Sequence, residues 1–480
     1  MLGLAGDTTG NVTVDGGTFQ ALGGKIGGNY SAGEDAITSI AIGHALEVAG
    51  NASLDGNLFL RAADADYTVG GTEKIIGAGK VEGEFTSVSY GNDFFWKAAL
   101  NYTDDSVTAD LTRASAKVSA MSLSMTPAVV EGAGHADVLV GELDKQLQAG
   151  QPLSKVSAAA TGLLASSTPL AALGLESLSG QVFGTAQALA FAQGDADSRV
   201  LADRLNGLSG GERGVWVQSY GLDGTLDHTG YASADMHLFG FMAGADTRIG
   251  EHTSLGGALA SSRLRGSIDG LNGSTDGRAD SVALYGRTDL GNAYLSGFAG
   301  YSRLAQDVDR SVVFGTGTEQ LASRVDGNSW QARIEGGYTF DGNLTPYAAV
   351  AHTRLHSDGF NEASTSGLGM VANGHTARTT TGELGLRWTA ELAKASFGTD
   401  LAVRHRFGER NPGFTAAFDG LQDASFHVTG TPLSTNAVRV GLYGTYRLTN
   451  AAQLFGNVSA LWDDANGHNV TGTVGLRVGF

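Results

Sequence analysis

The sequence predicts an all-β membrane protein: a 12-stranded antiparallel transmembrane β-barrel with a pore-filling helix, preceded by a helical linker and a β-solenoid-like N-terminal region. Three observations support this fold class. Twelve segments in which apolar and polar residues alternate with a period of two occupy residues 213–480. The links between these segments alternate between short and long, as they do in outer-membrane barrels. A stretch rich in alanine and glycine, with the composition of a slim helix, precedes the first segment.

The N-terminal zone, residues 1–115, is predicted to form many short strands. It is rich in Gly, Val, Ile and Thr, and Gly, Asn and Asp interrupt its apolar runs. Segments 45–50, 52–60 and 107–112 have the length of β-solenoid rungs, although their spacing follows no constant period. A β-solenoid is therefore the prediction for this zone, and an ordinary β-sandwich is the alternative.

The second zone, residues 116–206, is predicted to be a helical linker. Ala, Leu, Gln and Ser dominate it, and helices are expected over 136–148, 152–166 and 181–205, with Pro152 in the first turn of the second. The third is the predicted pore helix, because Gly184 and the alternate alanines at 186–192 make it thin enough for a narrow barrel. A surface helix of the linker is the alternative.

The third zone, residues 207–480, is the predicted barrel. Its segments are 214–221, 239–248, 254–262, 281–288, 293–302, 329–340, 345–355, 381–390, 395–407, 437–448, 453–462 and 470–480. Short links such as 250–252 and 291–292 alternate with long polar loops at 222–238, 263–280, 303–328, 356–380 and 408–436. An even strand number, short periplasmic turns and long outer loops indicate an outer-membrane barrel.

The two faces of these segments predict which side chains meet lipid and which meet the lumen. In the last strand, which ends on Phe480, apolar residues share one face while Thr471, Thr473 and Arg477 share the other. The same parity gives the lumen-facing candidates Arg333, Glu335, Glu383, Arg387, Asp400, Arg404, Arg406, Arg439, Arg447 and Arg477. We interpret these charges as structural ion pairs. Aromatic girdles at the membrane interfaces are predicted from Trp216, Tyr347, Trp388, Phe407 and Trp462.

Composition excludes several classes of function. No run of about 18 apolar residues is present, so a membrane crossing must use strands. The absence of cysteine excludes disulfide frameworks, thiolate metal sites and cysteine nucleophiles. The net charge of -18 and the lack of a basic aromatic platform argue against nucleic-acid binding.

No catalytic, cofactor-binding or metal-binding residue is predicted. Residues 207–211 match the G-x-S-x-G spacing of a nucleophile elbow, but they follow a helix and precede a strand, so a hinge is the better interpretation. The eleven histidines show no H-E-x-x-H or other paired metal spacing. We therefore expect no cofactor and no metal.

Taken together, the zones resemble the C-terminal part of a classical monomeric autotransporter of the type V secretion class. The segment LSGQVF at 178–183 leading into the helix, the opening strand GVWVQ at 214–218 and the strand–loop alternation carry the resemblance. The resemblance implies an outer-membrane translocator whose helix stays in the pore while an N-terminal passenger reaches the cell surface. Residues 1–115 would then be the passenger's autochaperone-like end. Within the family, the general character of the sequence is most similar to that of members whose passenger is a subtilisin-like serine protease.

The resemblance also implies partners. These are outer-membrane lipid, the barrel assembly machinery, periplasmic chaperones and the protein's own passenger, with Phe480 as the C-terminal assembly signal. Some family members cut the passenger inside the barrel with inward carboxylates, but the helix lacks the Asn-Asn pair that those members cut. Because no signal peptide opens the chain, we expect it to be part of a longer precursor. A diffusion porin and a surface adhesin built on residues 1–115 remain alternatives.

Overall fold

Strands dominate the computed structural model, which describes residues 2–61, 69–208, 213–269 and 272–480. In chain order the architecture is a β-solenoid, a group of helices and a closed barrel. The helices of these described ranges include none that is both long enough and apolar enough to span a membrane. Most of the glycine-rich hinge predicted at residues 207–211 lies outside the described residues.

The N-terminal region is a β-solenoid, as predicted, because its strands stack in parallel. β2 (Val12–Ala21) pairs with β4 (Tyr30–Ala41), β4 pairs with β6 (Asn51–Leu54) and β7 (Asn57–Arg61), and β6 pairs with β9 (Lys80–Gly83), all in parallel. Phe19, Tyr30, Ile40 and Leu58 fill the interior and are almost completely buried. The strands of the region are β1 (Leu2–Leu4), β2 (Val12–Ala21), β3 (Lys25–Ile26), β4 (Tyr30–Ala41), β5 (Leu46–Val48), β6 (Asn51–Leu54), β7 (Asn57–Arg61), β8 (Gly71–Gly77), β9 (Lys80–Gly83), β10 (Ser87–Tyr90), β11 (Trp96–Tyr102) and β12 (Ser106–Arg113).

A Gly-Asn pair at one turn holds successive rungs in register. The side-chain oxygen of Asn11 accepts from the backbone N–H of Asn29 at 2.8 Å, and that of Asn29 accepts from Asn51 at 2.8 Å. The preceding glycines are required because a Cβ at Gly50 would lie 2.1 Å from the Asn29 oxygen. This ladder explains why the region stacks as a solenoid although its rungs differ in length.

Five helices connect the solenoid to the barrel. They are α1 (Ala116–Ser122), α2 (Pro127–Gln148), α3 (Ser157–Ala165), α4 (Thr168–Leu178) and α5 (Gln181–Asn206). α5 matches the predicted pore helix, whereas the helix expected from Pro152 begins five residues later, at Ser157. Thr126, whose hydroxyl accepts from the Val129 N–H, caps α2, with a proline in its first turn.

The barrel closes as predicted, with twelve antiparallel strands in the predicted order. The strands of this part of the chain are β13 (Gly214–Leu226), β14 (Ala234–Ile249), β15 (Thr253–Ile268), β16 (Gly273–Leu290), β17 (Ala293–Phe314), β18 (Gly317–Tyr338), β19 (Leu344–Ser357), β20 (Phe360–Asn361), β21 (Met370–Ala372), β22 (His375–Glu391), β23 (Ala395–Gly408), β24 (Gly413–Phe418), β25 (Leu421–Thr429), β26 (Asn436–Arg447), β27 (Ala452–Asp463) and β28 (His468–Gly479). All except β20, β21, β24 and β25 form the ring, which β28 closes by pairing with β13.

The long polar segments differ from their predicted form, because strands fill much of them. β17 and β18 stay paired through the whole of the predicted loop 303–328. Their ladder ends at its outer tip, where Phe314 pairs with Gly317. The loops at 356–380 and 408–436 contribute β20, β21, β24 and β25, which form a separate four-stranded sheet. The outward face of the extended β17–β18 ladder is polar, with exposed Arg303, Asp307 and Asp309, because water replaces lipid outside the membrane. The lipid-facing apolar pattern therefore ends before the hydrogen-bonded ladder does.

Side chains alternate between an apolar outer belt and a polar interior. Trp388, Phe407 and Trp462 are exposed on the outer wall, as the girdle prediction requires. The prediction is wrong for Trp216 and Tyr347, which are buried in the lumen. Both face glycines of the next strand: a Cβ at Gly244 would lie 2.6 Å from the Trp216 ring, and one at Gly385 would lie 2.2 Å from Tyr347. Because glycine has no side chain, these two positions let the large rings lie against the inner wall.

Candidate functional site

Helix α5 fills the lumen and is the centre of the candidate site. Val182, Leu189, Val200 and Leu201 are buried against the barrel wall. The outer end of the helix meets the loop after β25 with almost no separation, since a Cβ on Gly184 would lie 2.3 Å from the Gly430 Cα. The small residues of the helix thus permit the close approach that the narrow lumen requires.

Hydrogen bonds fix the height of α5 in the pore. The Gln306 amide donates to the Ala186 carbonyl at 3.0 Å, and the Gln193 amide donates to the Ser262 hydroxyl at 2.9 Å. Lower in the lumen, the Tyr220 hydroxyl donates to the Asp197 carboxyl at 2.6 Å. These contacts link the helix to several strands and oppose its sliding along the barrel axis.

Charged contacts fix α5 on its other side. Arg404 and Arg406 of β23 both bind Asp195 of the helix, the second at 3.3 Å. Near the opposite end, Arg204 of the helix pairs with Asp246 of β14. Arg404 and Arg406 were predicted to face the lumen, but Asp195, Arg204 and Asp246 were not identified from sequence. Charged residues on a helix that is otherwise rich in alanine are the signal that would have found the first two.

Six of the predicted lumen-facing residues form a closed ring of alternating charge in the wall. Each carboxylate binds two arginines, and the guanidinium–carboxylate distances are 2.7–3.2 Å. In order around the ring the members are Arg333, Glu335, Arg387, Asp400, Arg439 and Glu383. Fully paired carboxylates of this kind match the interpretation as structural ion pairs and supply no free acid beside the helix.

The remaining predicted residues lie near the end of the barrel that carries the short turns. Arg447 lines a cavity of about 510 Å³ at this mouth, together with Lys394 of the 391–395 turn. The Arg477 guanidinium lies 3.9 Å from Asp246. Phe480 is 69% exposed on the outer wall, and its backbone carbonyl accepts from Arg213. By the rule of short periplasmic turns, this mouth faces the periplasm.

The opposite mouth is covered by a cap, which we define as α2, α4 and the sheet β20–β21–β24–β25. Arg310 of β17 and Glu362 form a buried ion pair at 2.6 Å, and Arg310 also donates to the Ser177 carbonyl at 2.9 Å. Neither charged residue was identified from sequence, because both lie in segments predicted to be loops. Arg310 continues the inward parity of Leu304, Gln306 and Val308, which is the signal that would have found it.

Helix α2 attaches to this cap through two buried polar side chains. Glu131 accepts from the Thr429 N–H of β25, and burial raises the pKa of its carboxyl to about 7. The two ring nitrogens of His135 lie 2.9 Å from the Leu178 carbonyl and 2.8 Å from the His427 carbonyl. Burial lowers the pKa of His135, although both carbonyls oppose that effect.

The described ranges hold no group of three or more His, Cys, Asp or Glu side chains placed to bind a metal ion. What the site offers is a lumen occupied by α5, the helix that directly precedes the barrel, with one end capped and the other open to a charged mouth.

Comparison with protein families decides the identity, because residues 215–459 match the autotransporter beta-domain family. The chain belongs to the autotransporter family. Its match with the translocator domain of the autotransporter NalP from Neisseria meningitidis has a TM-score of 0.50 at 24% sequence identity, covering 62% of this chain and 98% of that one. That similarity shows the shared fold.

Two curated relatives, both described as an extracellular serine protease of Serratia marcescens, are similar in sequence to the present chain. One is 24% identical over 250 residues, covering 50% of this chain and 23% of the relative, and the other is 25% identical over 236 residues, covering 46% and 22%. The chain thus spans less than a quarter of the length of these relatives. The predicted family, fold class and outer-membrane location are confirmed: this autotransporter is an outer-membrane translocator for a passenger domain.

Proposed function

We propose that this autotransporter displays the region ahead of its pore helix at the cell surface, with residues 1–115 as the passenger's autochaperone-like end. In this division residues 116–206 are the linker with the pore helix, and residues 207–480 are the translocator. The observation that carries the proposal is the path of α5, whose N-terminal end meets the outer loop at Gly430 while its C-terminal end lines the periplasmic mouth. Everything ahead of α5 then lies outside the cell.

Export needs a source of free energy, and we propose that solenoid folding supplies it. The sequence holds no nucleotide-binding motif to drive export. Burial of apolar side chains such as Phe19, Ile40 and Leu58 on the far side of the membrane would oppose backward movement of the chain. Each further rung that stacks outside the cell adds to this barrier against backward movement.

The same proposal assigns partners to the barrel. The barrel assembly machinery and periplasmic chaperones would receive the unfolded barrel, with Phe480 as the C-terminal assembly signal. Two features support this role: Phe480 directly follows β28, the last strand of the ring, and its side chain is exposed on the outer wall. Outer-membrane lipid would surround the apolar outer belt.

We propose further that this chain carries no enzymatic activity of its own. The three carboxylates predicted beside the helix are each bound to two arginines, which disfavours cleavage within the barrel. The names of the curated relatives support a serine protease as the passenger of a longer protein. We propose a serine protease upstream of residue 1 as the cargo, and the resemblance seen in the sequence favours the subtilisin-like type.

Surface exposure tests the display proposal. A signal peptide and an epitope tag are fused ahead of residue 1, a second epitope is placed in the 391–395 turn, and protease is added to intact Gram-negative cells. Loss of the first tag, with the second retained in a heat-modifiable barrel, is the expected result. A first tag that stays protected although the barrel is inserted would overturn the proposal and favour a diffusion porin.

The folding step has a separate test in Asn29→Ala, which removes one member of the Asn ladder. The Asn51 N–H then loses its acceptor, and the solenoid is expected to lose about 1 kcal/mol of stability. Slower appearance of the first tag at the surface is expected in a pulse-chase experiment. An unchanged export rate, with the solenoid shown to be less stable, would contradict folding as the driving force.

A further inference from the structure

Two arginines lie directly opposite each other on the outward face of adjacent barrel strands. Arg354 of β19 and Arg378 of β22 are register partners, and both side chains are exposed. The Cβ atoms of such a cross-strand pair lie about 5 Å apart, so two like charges placed there repel each other. Among the described residues, no carboxylate lies within ion-pairing distance of either guanidinium.

The carboxylates at this edge of the wall bind other side chains. These acids and their partners are Asp358 with His356 at 3.3 Å, Glu409 with His375 at 4.0 Å and Asp326 with Arg324 at 3.0 Å. The outward positions next to the arginine pair on its own two strands are histidines and threonines, namely His352, His356, Thr376 and Thr380. The chain therefore places two like charges together without a carboxylate between them.

A second opposed arginine pair of this barrel is balanced by the chain itself. Arg263 of β15 and Arg278 of β16 are also register partners on the outward face. Asp276 binds Arg263 at 2.5 Å, and Asp280 binds Arg278 at 3.1 Å. Both aspartates lie two residues from Arg278 on β16, where they separate the two guanidinium groups electrostatically. Because the pair on β19 and β22 lacks such aspartates, we expect its anion to come from outside the chain.

The height of the pair on the outer wall indicates where that anion comes from. Trp330 is the register partner of Arg354 on the next strand, and Phe407 opposes Thr380, the outward neighbour of Arg378. Both rings are exposed, as is Val350, which lies further into the membrane on the face that carries Arg354. Exposed aromatic rings mark the headgroup level of a membrane protein, which is the level of the lipid phosphates.

We propose that Arg354 and Arg378 together bind a phosphate group of an outer-leaflet lipid, whose acyl chains lie along the apolar belt. Guanidinium groups bind phosphate oxygens through paired, charge-assisted hydrogen bonds. One phosphate between the two arginines would therefore replace their repulsion with two attractive contacts. The site rests on the proposed topology, in which this rim of the barrel faces outward, and it is independent of passenger export.

Native mass spectrometry of the full chain in detergent tests the site, with diphosphorylated lipid A as the probe. Lipid A is expected to bind at least about tenfold more tightly than dephosphorylated lipid A, and Arg354→Gln or Arg378→Gln should remove that preference. Arg263→Gln is the matched control and should keep it, because Arg263 has its own carboxylate partner. Equal binding of the two lipids, or equal effects of the three substitutions, would overturn the proposal.

Inorganic phosphate distinguishes a lipid from a soluble anion at the same site. Lipid A is expected to stay bound in an equal concentration of inorganic phosphate, because its acyl chains add contacts with the apolar belt. Displacement at equal concentration would overturn the assignment to a lipid. Since binding is measured on the purified chain, either negative result leaves the display proposal standing.

Thermal unfolding of the lipid-free barrel tests the repulsion between the two arginines. Arg354→Glu places a carboxylate opposite Arg378, so the unfolding temperature is expected to rise while the preference for phosphorylated lipid is lost. Arg263→Glu is the control and should lower the unfolding temperature, because it places a glutamate beside Asp276. An unchanged or lower unfolding temperature for Arg354→Glu would contradict the proposal, since the pair would then need no external anion.

Discussion

The buried ion pair of the cap combines close contact between its two charges with additional hydrogen bonds. Glu362 binds the Arg310 guanidinium and also accepts from the Met370 N–H at 2.8 Å. Taking such a pair out of water costs several kcal/mol, which close geometry and further hydrogen bonds offset. The pair therefore positions the cap over the pore more than it stabilises the fold.

Removal of one partner is expected to be costly. Glu362→Ala leaves Arg310 buried without its carboxylate and should destabilise the cap by about 3–5 kcal/mol. Hydrogen exchange of the peptides that contain β20 and β21 measures the loss. Asp276→Ala, which breaks an exposed pair with Arg263, is the control and should cost less than about 1 kcal/mol. Equal effects of the two substitutions would contradict the assignment.

The carboxyl of Glu131 predicts a pH dependence for the attachment of α2. Its pKa is raised from 4.5 to about 7 in the folded state, so the folded state holds a proton that the unfolded state releases. The attachment should therefore weaken by about 2–3 kcal/mol as pH rises from 4.5 to 7, and change little above that range. Hydrogen exchange of β25, corrected for intrinsic rates, measures this slope.

Glu131→Gln is the matched variant, since an amide oxygen can still accept from the Thr429 N–H. It should abolish the slope and strengthen the attachment at pH 8. If the variant keeps the wild-type slope, another group, such as the buried His135, controls the pH dependence.

At the scale of elements, the sequence predicts the barrel well and its outer structures poorly. The twelve membrane strands are identifiable because lipid on one side and water on the other force period-two alternation. The burial of Trp216 follows from the same parity, since Val215 and Val217 point outward, yet its aromatic character suggested a girdle. Arg310 and Glu362 pair across segments that were predicted to be loops, although the inward parity of Leu304, Gln306 and Val308 extends to Arg310. The Asn ladder recurs at unequal spacing, which hides it from a search for a fixed period.

The close packing of Gly184 in the pore helix against Gly430, which we call the seat of the helix, gives a prediction at this scale. Gly184→Val would bring side-chain atoms into the Gly430 backbone, which cannot yield as a flexible side chain does, and should destabilise the seated helix by about 3 kcal/mol. Thermal loss of protease protection at α5 measures the change. Gly141→Val is the control, because a Cβ at this helical position meets no atom within 4 Å. An equally protected helix in both variants would contradict the proposed seat.

In the proposed topology the membrane divides the molecule, with the solenoid and the linker on the outer side and the short turns on the periplasmic side. The solenoid is tied to the linker helices, where the buried Asn92 amide donates to the Leu163 carbonyl at 2.9 Å. The linker is tied in turn to the outer end of β17, whose Val313 N–H donates to the Ser177 hydroxyl at 3.0 Å. These contacts form a continuous structure outside the barrel, to which an upstream passenger would be attached.

The turn at residues 391–395 has a practical consequence, because it carries Lys394, the single lysine of residues 213–480. The other seven lysines, at 25, 74, 80, 97, 117, 145 and 155, belong to the solenoid and linker. In the proposed topology the lysine side chains are thus sorted by membrane face. An amine-reactive polymer too large to cross the outer membrane should modify intact cells only at the seven, and Lys394 should become reactive after lysis. One labelling reaction followed by peptide mapping would read the topology of the whole chain without any substitution.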